Sequence, residues 1–334
     1  MDLTTVADDE VVFHDGLEVR RYPGLEPDTA YELEGRQVRT LPRPGGELLT
    51  SFCTANDVHF GELECGHLDG FDEGPIYMSE PDAEPYPTLM NRCAVAEMTE
   101  VDPAAVVVKG DLTAFGTLDE YEQFLAVYEP AFGDRLHHVR GNHDAYYGET
   151  FADTAPYAVE LPGVTLAVID TAIPRRESGR VSAESLEWLD QLAAEADRPV
   201  LVFGHHHAWS PDSADRPEGY FGINPDDSER LVELVARRPG ILGYFAGHTH
   251  RNRVRRFTAT GSLPWVEVAA VKDFPGGWAE YRVFEGGILQ VFRRVSVPEA
   301  LAWSEKTRDM YGGLYEGYAL GALGDRCFPM EPRS

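Results

Sequence analysis

From residue 47 onward, short runs rich in Val, Leu and Phe alternate with helical patterns, and this alternation restricts the fold more than any other feature of the chain. The apolar runs fall at 48–55, 105–108, 136–139, 164–169, 199–203, 241–246 and 265–270, and the helical patterns near 88–100, 118–131, 182–196 and 227–238. Runs so short and so uniformly apolar read as strands covered on both faces. In the third helical segment Ser182 is placed to cap, with Glu184 and Ser185 close behind, and Leu186, Leu189, Leu192 and Ala193 mark one face. Strands alternating with helices predict an α/β domain built on a largely buried sheet.

Either side of this region the pattern changes. Two strand-like runs, 278–284 and 288–292, flank Glu285-Gly286-Gly287, a hairpin signal. The tail from Pro298 carries Leu301, Trp303, Tyr311, Leu314, Tyr315 and Tyr318, too apolar for a solvated end, so it is expected to pack on the core or on a partner subunit. Residues 1–46 predict a small β appendage. Within it Leu25-Glu26-Pro27-Asp28-Thr29-Ala30-Tyr31 resembles the tyrosine corner of fibronectin type III sandwiches, where the Tyr hydroxyl bonds back to nearby backbone, although the segment is too short for seven strands. The expected division is therefore 1–46, a main α/β domain over 47–297, and a C-terminal extension over 298–334.

Charge excludes whole classes of partner. The 334 residues hold 29 Lys plus Arg against 57 Asp plus Glu, a net charge of −28, which repels nucleic acid and anionic membrane surfaces. Only Lys109, Lys272 and Lys306 are lysines, so Arg carries nearly all the positive charge. Cys53, Cys65, Cys93 and Cys327 form no CxxC pair and predict reduced, intracellular thiols. Residues 1–10 lack a basic and an apolar leader region, and no apolar run approaches the ~18 residues of a membrane helix. These features predict a soluble cytoplasmic protein acting on a small molecule, with homo-oligomerisation left open.

Seven of the eleven histidines sit in four short segments just after predicted strands. With one Gly-Asp added, the series is Asp57-Val58-His59, Gly110-Asp111, Gly141-Asn142-His143-Asp144, Gly204-His205-His206-His207 and Gly247-His248-Thr249-His250. Sites in α/β sheets form at the carboxyl ends of strands, so all five segments can converge on one rim. The set offers carboxylate, amide and imidazole donors and no thiolate, which suits two divalent first-row metals. A carboxylate such as Asp111 can bridge two ions, and an Asn oxygen can serve as a neutral ligand.

In this order the segments D-x-H, G-D, G-N-H-D, a strand ending in His, and G-H-x-H resemble the calcineurin-like metallophosphoesterase superfamily, over roughly residues 48–275. The resemblance implies a four-layer αββα sandwich with two mixed β-sheets flanked by helices. It implies that Asp57, His59, Asp111 and His250 hold one metal, and that Asp111, Asn142, His205 and His248 hold the other. It implies two divalent cations, or Fe3+ with a divalent partner, drawn from Mn, Fe or Zn. Family members end the His strand with a pair or triplet whose first member is the ligand, which favours His205 and leaves His206 as the alternative. His143 is matched to the residue that contacts the phosphate or protonates the leaving oxygen, with Asp144 orienting its ring. The implied reaction is in-line attack on phosphorus by a hydroxide bridging the two ions.

Departures from two branches narrow the resemblance. Ser/Thr protein phosphatases continue Gly-Asp with Val-Asp-Arg-Gly, where this chain reads Gly110-Asp111-Leu112-Thr113-Ala114-Phe115-Gly116, and Ala114 stands where purple acid phosphatases place a metal-binding Tyr. The same stretch, with Glu120-Tyr121, Asp170, Gly179-Arg180-Val181 and Trp188-Leu189, is similar to the cyclic-nucleotide and glycerophosphodiester phosphodiesterase branch. Small phosphodiesters are the leading substrate class. A phosphomonoesterase or nucleotide pyrophosphatase using the same site is the alternative, and a non-catalytic scaffold on this fold is a further one. Segments 62–87 and 208–228 are expected to shape the pocket. Cys65, His67 and Asp69 read better as a solvated loop than as further ligands. Arg251 and Asn252 could touch substrate phosphate, with a surface ion pair at least as good a reading for Arg251.

Overall fold

A computed structural model describes residues 1–67 and 74–332. Among these, two six-stranded mixed sheets dominate. The first sheet runs, in spatial order, Cys327–Met330, Gly287–Arg294, Gly277–Phe284, Leu48–Ala55, Val106–Lys109 and Leu136–Val139. Its last three strands are parallel, and the preceding ones pair antiparallel. The second sheet runs Arg253–Arg255, Trp265–Glu267, Ile241–Ala246, Val200–Phe203, Val164–Val168 and Tyr157–Leu161. Its four central strands are parallel, with an antiparallel strand at each edge.

The side-chain period of two explains why these strands stack into layers. Phe52, Val107, Val139, Leu166, Val168, Leu201, Phe203 and Phe245 point into one shared core between the sheets. Their neighbours Cys53, Val106 and Val108 point outward beneath helices Tyr86–Val101 and Leu118–Phe132. On the other side Ala167, Val200, Val202 and Tyr244 point out beneath helices Ala183–Glu195 and Pro225–Arg237. This is the expected αββα sandwich. Its centre is an aromatic cluster: Phe52 stacks on Tyr281 with centroids 4.6 Å apart, Phe203 stacks on Phe245 at 5.2 Å, and Phe52 meets Phe203 edge-on at 6.0 Å. Ser182 caps its helix by accepting the Ser185 amide, as its sequence position suggests.

Helix limits fall within two residues of the sequence expectation, and most strand limits agree as closely. The run at 265–270 is the exception: pairing stops at Glu267, although Val268, Ala269 and Ala270 stay buried. A buried apolar run looks the same in sequence whether or not it is paired.

The N-terminal segment forms a three-stranded antiparallel sheet, Asp2–Val6, Glu10–Asp15 and Glu18–Pro23, and a hairpin, Ala30–Leu33 with Arg36–Arg39. Tyr31 accepts the Glu26 amide on its hydroxyl at 2.9 Å, the bond that a tyrosine corner requires. The Thr5 hydroxyl donates to the Phe292 carbonyl at 2.7 Å, and Glu10 lies between Arg21 and Arg293, so this sheet is fastened to the first large sheet. Near the other end, Trp303 of helix Pro298–Lys306 stacks on Tyr86 at 4.2 Å. No described helix is long and apolar enough to cross a membrane. Truncating Phe52 to Ala should cost about 3–5 kcal/mol of stability, the range for a large aromatic lost from a close-packed interior, read by denaturant unfolding of metal-free protein.

Candidate metal centre

All five His- and Asp-bearing segments meet at the carboxyl ends of the parallel strands, and in three of them the backbone is held in an unfavourable conformation. Asp57 (φ 53°), His59 (48°), Asp111 (49°), His248 (70°) and His250 (54°) occupy the left-handed region. Each such non-glycine residue costs roughly 1–3 kcal/mol unless its surroundings fix it. Bonds between the segments supply that restraint. Val58 and His59 donate their amides to the Asp111 carbonyl at 3.0 Å, Gly247 donates to the His205 carbonyl at 3.0 Å, and the His248 amide lies 3.0 Å from both Asp57 carboxylate oxygens. Close approach also explains two glycines: a Cβ on Gly141 would lie 2.1 Å from Asp111 Oδ1, and one on Gly247 would lie 2.6 Å from Asp57 Oδ2.

The side chains gather into overlapping groups. Asp57, His59 and His250 form one with donor atoms within 4.8 Å of one another, and Asp57, Asp111 and His205 form another. Asp111 Oδ2 lies 3.6 Å from His59 Nε2 and 3.2 Å from His205 Nε2, so one carboxylate faces both sides of the site. Asn142 turns its side-chain oxygen to His205 Nε2 at 3.0 Å, while its amide nitrogen donates to the Tyr146 hydroxyl.

Tautomers are fixed from behind. His205 Nδ1 bonds to the Lys109 carbonyl at 2.8 Å and His248 Nε2 to the Phe221 carbonyl at 2.7 Å. A carbonyl only accepts, so these nitrogens carry the protons, leaving His205 Nε2 and His248 Nδ1 free to donate a lone pair. His206 is also within reach of His205 and His248, yet both its nitrogens are taken by groups outside the candidate ligand set, the Thr171 hydroxyl and the Glu177 carbonyl, whereas His205 Nε2 faces Asn142 and Asp111. Of the two, His205 is the better-placed donor. Both nitrogens of His59 are buried without a hydrogen-bond partner, which is what a ligand lacking its cation looks like. Imidazole, carboxylate and amide donors with such an orphan fit divalent cations.

Two roles assigned from sequence need correction. Asp144 does not orient His143. Its carboxylate accepts the amides of Leu112, Thr113 and Gly141 and the Thr113 hydroxyl, because three loop amides converge on it, and so it ties the Gly110-Asp111 turn to the Gly141-Asn142 turn. The His143 ring is held instead by the Ala114 carbonyl, 2.7 Å from Nδ1, and packs against His59 at 4.5 Å. Asn252 is engaged by backbone rather than offered to a phosphate, bonding to Ala319 and Ala269, while Arg251 pairs with Glu267 at 3.0 Å, in line with the ion-pair reading of its sequence position. Cys65 is buried near Met310 and Asp273, neither it nor His67 joins a candidate metal group among the described residues, and Asp69 lies outside those residues. Sequence reasoning missed Asp273, whose Oδ2 lies 3.4 Å from His250 Nδ1 and 3.4 Å from Lys272 Nζ. Its one signal was position, just past the end of a buried apolar run.

The family's sequence model for calcineurin-like phosphoesterases matches residues 52–252, and the chain belongs to that family. It is similar to a glycerophosphodiester phosphodiesterase, GpdQ, of Enterobacter lignolyticus, at 30% identity over 44% of this chain and 56% of that protein. It is also similar to a cAMP/cGMP dual specificity phosphodiesterase of Mycobacterium tuberculosis, at 32% identity over 44% of this chain and 49% of that protein. The matched stretch thus spans about half the length of these relatives. Among solved structures, a dimetal phosphatase from Danio rerio shares the fold with a TM-score of 0.54 and 16% identity, over 75% of this chain and 98% of that one.

Electrostatics in the metal-free protein follow from burial of two carboxylates among imidazoles. Burial opposes charge on His250, but Asp57 and Asp273 outweigh it and push the ring up to about 10; burial likewise opposes charge on His205, and Asp111 pushes it up to about 9. Burial, reinforced by neighbouring imidazoles, drives His59, His206 and His248 well below 6.5. The raised pair stabilises the fold fully below its unfolded value of about 6.5, and that stabilisation is lost as pH rises through 9 and 10. The depressed rings act oppositely, because below about 6.5 the unfolded chain takes up protons that the folded one refuses. Metal-free protein should therefore melt highest near pH 6.5 and lose stability both toward acid and as pH climbs to 9 and 10, as thermal scans across pH would record. A metal held by His205 and His250 would have to displace their protons, so its affinity should rise with pH up to about 9 and 10.

Proposed function

We propose that this chain is a metal-dependent phosphodiesterase that hydrolyses small phosphodiesters at a two-cation centre. Asp57, His59, Asp111 and His250 would hold one ion, and Asp111, Asn142, His205 and His248 the other. The observation that carries this reading is the Asp111 carboxylate, which faces His59 on one side and His205 on the other within 3.6 Å. Bound there, divalent cations such as Mn, Fe or Zn would supply Lewis acidity toward a phosphoryl group and a water of lowered pKa. The names of the relatives support the diester class. The cytoplasmic setting is supported by four buried, unpaired thiols.

The protein's own groups bind, orient and move a proton. With Nδ1 committed to the Ala114 carbonyl, His143 presents Nε2 as the nitrogen that can hold a proton and pass it to a leaving oxygen. Asp144 keeps the two turns bearing Asp111 and Asn142 in register through its bonds to Leu112, Thr113 and Gly141. Phe221 stacks on His248 at 4.0 Å and is half exposed, so an accessible ring lies beside a proposed ligand. Such a ring favours a diester carrying a planar organic arm, since a stacked base is worth about 1–3 kcal/mol.

Metal-free protein reloaded in turn with Mn, Fe, Co and Zn should hydrolyse a bis-aryl phosphodiester faster than the matching monoester. Asp111→Asn should lose more than ~100-fold in rate, beyond the ~10–100-fold typical of groups behind a ligand. Inertness of every loaded form toward all phosphoesters would sink the reading, and a monoester preference would replace it with a phosphatase.

A further inference from the structure

We propose that the C-terminal helix Tyr315–Leu320 is a positioning element of the metal centre, setting the His250 ligand through Asp273. The inference rests on His250 being a ligand, as proposed above. The family match ends at residue 252, so this helix lies outside the segment that defines the family.

Three residues of the helix reach the loop 249–252, one of them by way of Asp273. Tyr315 donates its hydroxyl to Asp273 Oδ1 at 2.7 Å, and the other oxygen of that carboxylate faces His250 Nδ1 at 3.4 Å. Tyr318 donates to the Thr249 carbonyl at 2.9 Å, while the Arg251 guanidinium lies over the Tyr318 ring at 4.8 Å. The Asn252 amide donates to the Ala319 carbonyl at 3.0 Å. Every residue from Thr249 to Asn252 is thereby tied to one short helix, His250 through the carboxylate between them.

That restraint falls where it is needed. His248 and His250 both hold left-handed backbone, and a strained loop keeps its ligands in place only if something outside it fixes the geometry. His250 is also backed by a carboxylate, where His205 and His248 are backed by carbonyls. A carboxylate free to rotate would let the ring turn; Tyr315 anchors one oxygen, so the other stays aimed at Nδ1. Tyr315 is 4% exposed and its ring packs in the same apolar cluster as Trp303 and Met310, so its packing and its hydroxyl can be separated by experiment.

The test uses the full chain and measures metal binding by chelator competition, independently of catalysis. Tyr315→Phe keeps the ring and removes the donor. It should weaken one of the two ions about 10–100-fold, leave metal-free unfolding nearly unchanged, and regain activity in excess metal. Asp273→Ala should weaken the same ion, and adding Tyr315→Phe to it should cost nothing more, because both act through one carboxylate. Unchanged dissociation constants in Tyr315→Phe, a loss confined to metal-free stability, or additive losses in the double variant would each overturn the proposal. Protein that shows the expected binding shifts but cleaves no phosphoester defeats the phosphodiesterase reading alone. An active Tyr315→Phe with native affinities defeats this one alone.

Discussion

Two carboxylates sealed from water at a sheet rim set the terms for everything around them. Asp57 and Asp111 are at most 1% exposed, and burying a charge without a partner is among the largest penalties a fold can carry. Protons on His205 and His250 offset it when metal is missing, and cations would offset it otherwise. Nearby positive charge from the framework is limited. Lys109 is fully buried and bonds to the Ala246 carbonyl at 3.2 Å, and burial holds its amine down to about 7 despite the pull of Asp57. The left-handed turns, the close-packed glycines and the bonds between loops together hold those two carboxylates among the imidazoles of the rim.

The aromatic cluster makes this possible at a distance. Phe52, Phe203 and Phe245 each lie within a few residues of a candidate ligand, so contacts that join the sheets also fix the spacing of the strand ends. Because the interior is close-packed, small displacements there are transmitted rather than absorbed.

What was legible in the sequence was whatever local pattern records. Strands such as 136–139 and 241–246 announce themselves as apolar runs, and the five ligand segments lie directly after them. Tyr157–Leu161 and Arg253–Arg255 did not, because edge strands are half-exposed and carry no such run. Asp144 was misread because adjacency to His143 suggested a shared role, whereas the chain turns its carboxylate toward amides 31 and 32 positions away. Asp273 was missed for a related reason: its significance depends on Tyr315, 42 residues later, and nothing local marks that pair.

The first large sheet has its central pairing between the earliest and among the latest of its strands: Thr54 lies opposite Ala279, and Phe52 opposite Tyr281. Loop closure on that scale is slow, and parallel neighbours on one side cannot compensate for a missing antiparallel partner on the other. During synthesis the strand leading to Asp57 must wait, with Phe52 uncovered, until Tyr281 has left the ribosome. Assembly of the rim that carries Asp57 therefore depends on a strand far along the chain from it.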